Sequence, residues 1–205
     1  MAPPGSRLTW IVLAFASLVS SGVTVRTAWA QEAPTAETQA EARRLFEEGR
    51  AHAEAERWPA AVTSFESSRA LLERPSTLFN LASALVRVGR SLEALEALDV
   101  LERVADPRRD RAMLAGVPDL RARADSSLRH VVLTVAPETA LLEVDGEPIE
   151  GAGPRRELTL DPGAHSASVS LAGFTTERAE IALGQDELSV TLRPRSARVH
   201  VEPSF

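Results

Sequence analysis

The chain has 205 residues, 44% of them hydrophobic, no cysteine and a formal net charge of −6. That length holds one or two small domains, and without cysteine their stability must come from packing, not from disulfides. Aromatic residues make up only 4% and tyrosine is absent, so the cores are expected to be built from Leu, Val and Ala, and the acidic balance argues against a nucleic-acid partner, which needs a basic stripe.

The first thirty residues read as an export signal. Arg7 supplies a positive start, Leu8 to Val25 is apolar with small residues mixed in, and Ala28-Trp29-Ala30 presents small residues where a signal peptidase reads. Cleavage after Ala30 is expected. The alternative is retention as an anchor, because about 18 apolar residues can just span a bilayer. No cysteine follows the site, which excludes a lipoprotein anchor. Two arginines and no acids lie in the signal, so the rest of the chain carries 21 basic and 29 acidic residues, a net charge of −8. This mature part is not expected to span a membrane. Residues 31–39 are polar and without periodicity, which predicts a disordered lead-in.

From Ala40 the pattern is helical and repeats. Leu45, Gly49, Ala61 and Phe65 recur 33 residues later as Leu78, Ala82, Ala94 and Leu98, and a fixed period of this size marks stacked supersecondary units. The first predicted helix runs from about Ala40 to Glu56, with Leu45, Gly49 and His52 on one side. The second starts with Pro59 near its first turn, where the missing N–H costs nothing, and runs to about Leu72. The third covers Ser76 to Val88 with Ser76 as N-cap, and Gly89 supplies a left-handed exit. The fourth covers Ser91 to Val104 with Ser91 as N-cap. A further stretch, Arg108 to Leu128, is broken at Gly116-Val117-Pro118 and is expected to close the stack as a solvating terminal helix.

These residues resemble the tetratricopeptide (TPR) repeat. The second copy carries the resemblance best, through Leu78, Leu81, Ala82, Leu85, Gly89, Ala94 and Leu98. The first copy carries it through Leu45, Gly49, Trp58, Ala61 and Phe65. The resemblance implies two helical hairpins plus a capping helix over residues 40–128. It also implies a concave face for a protein or peptide partner, lined here by Arg43, Phe46 and Arg50, and by Phe79, Asn80, Ser83 and Arg87. Phenylalanines flanked by arginines could grip an extended peptide of acidic or C-terminal carboxylate character. The opposing expectation is that Phe46 and Phe79 pack against the lead-in or the third helical stretch.

After Ser127 the period changes from helical to alternating. Val131, Leu133 and Val135 begin a strand, and Leu142 and Val144 another, closed by the hairpin signal Asp145-Gly146. Leu158 and Leu160 precede the turn Asp161-Pro162-Gly163. Ser166, Ser168 and Ser170 then alternate with Ala167, Val169 and Leu171. Ile181 and Leu183 follow, then Leu188, Val190 and Leu192. Short strands at this spacing predict a small antiparallel β-sandwich over residues 129–205. The stretch 196–201 is either its last strand or the start of an unfinished second copy. Val144-Asp145-Gly146, Gly153-Pro154, Leu160-Asp161-Pro162-Gly163-Ala164-His165 and Gly173-Phe174 resemble a PEGA domain. The fold class expected is therefore α+β, with TPR hairpins ahead of the sandwich.

Catalytic patterns are absent from the sequence. The four histidines, His52, His130, His165 and His200, lack metal-ligand spacing, and His165 reads as a structural residue after a turn. Gly151-x-Gly153 precedes a proline and a strand, so it is no dinucleotide fingerprint, and no nucleophile elbow occurs. No metal or cofactor is expected. The reading is a non-enzymatic exported adaptor of a Gram-negative envelope, periplasmic or secreted, binding its partner in the helical groove. The alternative is a cell-wall or polysaccharide-binding module in the β half, with the helices as spacer.

Overall fold

The computed structural model describes residues 33–151 and 153–195. The expected export signal, the first residues of the expected lead-in and the stretch 196–201 lie outside the described residues. Helices come first: α1 (Ala36–Glu54), α2 (Trp58–Leu71), α3 (Pro75–Val88), α4 (Ser91–Val104), the single turn α5 (Arg111–Leu114) and α6 (Val117–Ser127). Strands follow: β1 (Arg129–Ala136), β2 (Leu141–Val144), β3 (Glu147–Ile149), β4 (Arg155–Leu160), β5 (His165–Ser170), β6 (Glu177–Ile181) and β7 (Glu187–Thr191).

Two helix starts and one helix cap differ from expectation. The end of the predicted lead-in is helical, because the Thr35 side chain accepts a bond from the Thr38 N–H and launches α1 at Ala36. Helix α3 begins at Pro75, one residue before the expected cap Ser76, and its N-cap Arg74 makes no side-chain capping bond. Helix α4 begins at Ser91, but Ser91 is not its cap. The backbone N–H groups of Ser91 and Leu92 instead donate to Asp161 Oδ1 at 2.6 and 3.0 Å, across 70 residues of sequence. Gly89 does end α3 in the left-handed region, at φ 80°.

Short connections turn each helix back on the one before it. Helix α1 packs on α2, α2 on α3, and α3 on α4. Helix α6 then packs on α4 and also touches α3, as α3 packs on α2 and touches α1. The core holds the expected stripe of Ala61, Phe65, Leu78, Leu81, Ala82, Leu85, Ala94, Leu98 and Leu101, and α6 adds Val117, Leu120 and Ala124 to it. Small residues set the spacing. A Cβ at Gly49 would lie 2.6 Å from two carbons of the Phe65 ring, so only glycine admits that ring beneath α1.

The strands form two sheets, ordered β4–β1–β7 and β3–β2–β5–β6. Alternation puts Val131, Leu133, Val135, Leu158, Leu160 and Val190 of the first sheet in one apolar cluster with Leu142, Val144, Ala167, Val169 and Ile181 of the second. All pairs are antiparallel except β1–β7, which is parallel. A wholly antiparallel arrangement was expected. Between β4 and β7 the chain crosses to the second sheet and forms β5 and β6 there, and on its return β7 runs in the direction of β1. Leu183, expected in a strand, is 73% exposed. Strand β6 ends at Ile181, and residues 182–185 turn, with Gln185 N–H donating to Ala182 O. Arg156 is a buried cation on β4, 7% exposed. Its Nε donates to Gly153 O at 3.0 Å and its Nη2 to Ala140 O at 3.3 Å.

Leu128 alone separates α6 from β1. The described residues from Pro34 onward form one compact unit although helices and strands each have their own core. At the junction Asp161 holds the start of α4, Ser91 Oγ and Ser127 Oγ lie 2.6 Å apart, and Pro162 lies beside Gly89. Among the described residues no helix is long and apolar enough to cross a membrane.

Candidate functional site

Helices α1 and α3 are the first helices of the two repeat copies, and a recess of about 210 Å³ lies between them. Its lining comprises Ala42, Arg43, Phe46 and Glu47 from α1, Ser68 from α2, and Arg74, Ser76 and Thr77 from the start of α3. The recess therefore has two guanidinium groups, one carboxylate, an aromatic wall and the unblocked end of a helix, whose dipole favours negative charge. Ser68 helps to hold its shape, donating to Ala42 O at 2.8 Å from a buried hydroxyl.

Of the seven residues expected on the concave face, the structure brings Arg43 and Phe46 together in this recess. The other five lie outside its lining, and most of them already have partners. Phe46 is half-buried, with its ring 5.8 Å from that of Phe65. Arg50 pairs with Glu47 and Glu54 on its own helix. Phe79 is half-buried against the core, and its ring tip lies 3.2 Å from where a Cβ at Gly116 would sit, so it covers the break before α6. Asn80 Nδ2 donates to Ser76 O at 2.8 Å. Ser83 is half-buried. The Arg87 guanidinium lies 5.2 Å from the centre of the Trp58 ring, a cation–π distance. Sequence reasoning missed Arg74. The signal was available, since Arg74 falls between the second and third predicted helices just before a proline, and an arginine beside a helix start is placed to meet an anion.

A second polar cluster lies in the β half. The Asp145-Gly146 turn carries Asp145 in the left-handed region at φ 52°. Asp145 Oδ1 accepts from the N–H and the hydroxyl of Ser166, at 2.8 and 3.1 Å. Asp145 Oδ2 meets His165 Nδ1 at 2.6 Å, and His165 Nε2 meets Asp161 O at 2.9 Å. Burial pushes the Asp145 carboxyl up, but the Ser166 and His165 bonds together outweigh it and hold it below the ordinary carboxylate value. Burial likewise works against a charged His165, and the bonds to Asp145 and Asp161 outweigh that and raise it. A depression of about 470 Å³ beside this pair is lined by Asp145, His165, Ser166, Arg178 and Glu180, with Ala164 and Ala179. Among the described residues no group of three or more His, Asp or Glu side chains is placed to hold a metal ion.

Compared with known proteins, the chain matches no family model, and no curated protein matches it in sequence.

Proposed function

We propose that this is a non-enzymatic exported adaptor of a bacterial envelope, a TPR-like helical repeat followed by a PEGA-like β-sandwich. The helical face formed by α1 and α3 holds a protein or peptide partner. The observation that carries this reading is the recess between the two repeat copies, where Arg43, Arg74 and Phe46 surround one small space. A segment of chain bearing a carboxylate beside an apolar side chain has the chemistry to enter it, by charge-assisted bonds to the guanidinium groups.

The test is photocrosslinking in intact cells that express the full chain. A photoreactive phenylalanine analogue replaces Arg43, Ser83 or Arg87 on the concave face, or Glu96 or Arg103 on α4 as controls. A discrete adduct from the concave positions alone is expected, and Arg43→Glu with Arg74→Glu should abolish the adduct formed from position 83. Equal adducts from both faces would remove the groove from the mechanism. Adducts only from positions in the β half would transfer the function there.

A further inference from the structure

We propose that His165 is a proton-operated latch that fastens the β half to the helical half through Asp161. The geometry requires two protons on the ring. Nδ1 faces a carboxylate oxygen at 2.6 Å and Nε2 faces a backbone carbonyl at 2.9 Å. Neither partner has a hydrogen to give, because a carbonyl only accepts and Asp145 is kept as a carboxylate by the two donations it receives from Ser166. A neutral imidazole has one N–H and one acceptor nitrogen. It can satisfy one of these partners and must face the other lone pair to lone pair. The imidazolium satisfies both.

What the ring holds is the turn between β4 and β5. The carbonyl that His165 meets belongs to Asp161, and the side chain of the same residue receives the first two N–H groups of α4. Asp161 is thus clasped from both sides, by the β half through its backbone and by the helical half through its carboxylate. Loss of the ring proton releases one side of this clasp and loosens the cap on α4.

The charges around the ring are accounted for. Asp145, from the turn after β2, favours the imidazolium. Arg129 of β1, whose Nη1 donates to Gly163 O in the same turn, opposes it. Arg178 and Glu180 of β6 line the neighbouring depression with opposite signs. Arg90, at the start of α4, is engaged by Glu66 and Glu93. The balance leaves His165 easier to protonate than an ordinary histidine, whose value is 6.5. The clasp is therefore complete below that value and opens as pH rises through the raised one.

The experiment is NMR on the full chain across roughly pH 5 to 9. It follows the ring nitrogens of His165 and the exchange protection of the Ser91 and Leu92 amides, with Leu133 and Val169 as core references. Both ring nitrogens should be protonated at about pH 6, a value below the raised one. Protection at Ser91 and Leu92 should fall roughly threefold to tenfold as His165 titrates, while the core references stay constant. In His165→Gln the inflection should vanish. A bare ring nitrogen at about pH 6 would overturn the latch in the unaltered protein, even if the variant fails to fold. So would protection at Ser91 and Leu92 that ignores the titration, or an inflection that survives in a folded His165→Gln chain.

Discussion

Gly49 and Phe65 show how one residue position sets a helix distance. The first repeat copy pairs glycine with phenylalanine where the second has Ala82 and Leu98, a smaller residue facing a larger one. Replacing an interior helical glycine by alanine ordinarily gains up to about 1 kcal/mol. Here the added methyl would meet a ring with no exposed surface to swing into, and such overpacking costs about 1–3 kcal/mol. Gly49→Ala is therefore expected to lower stability by about 1–2 kcal/mol, read from urea unfolding. Adding Phe65→Leu, which recreates the second copy's pairing, should return part of the loss. A stabilised single mutant would show that α1 can lift away.

The fourth helix illustrates an element whose end is made elsewhere. Its first N–H groups would be orphaned, and the carboxylate that receives two of them comes from a turn between strands. Asp161→Ala should lower stability by about 0.5–2 kcal/mol, with the loss of amide protection concentrated in the first turn of α4. Asp161→Asn keeps an acceptor and should lose less. The same junction explains why helices and strands behave as one unit despite two cores.

For the whole molecule, the His165–Asp145 pair gives stability a pH window. Asp145 titrates below its ordinary value of 3.8 in the folded chain, so its contribution is complete above that value and is lost as pH falls through the lowered one. His165 titrates above 6.5, so its contribution is complete below that value and is lost as pH rises through the raised one. The linkage relation then places the pair's full contribution between these two values. Denaturant midpoints measured across pH should peak there, and His165→Gln should flatten the alkaline side. Exposed pairs such as Arg44 with Glu41 and Glu48 add little, since water screens them.

The layout of helices ahead of mostly antiparallel strands was legible in the sequence, because periodicity records which side of each element is buried. The stripe from Ala61 to Leu101 and the alternation of Val131, Leu133 and Val135 are examples. Gly89 and the Asp145-Gly146 turn were legible because they answer to backbone sterics alone. Arg43 and Phe46 were expected on a shared face through the resemblance to helical repeats, yet Arg74 completed their recess only once α3 lay beside α1. The parallel β7 and the cap on α4 were decided by the tertiary structure. Each depends on groups brought together from distant parts of the chain, and short-range periodicity carries no record of distance in space. Asp161 reads locally as a turn residue, and His165 as a structural residue that follows the turn. That one receives two helix amides while the other clasps its carbonyl is a property of the folded chain, set by how the β4–β5 turn meets the start of α4.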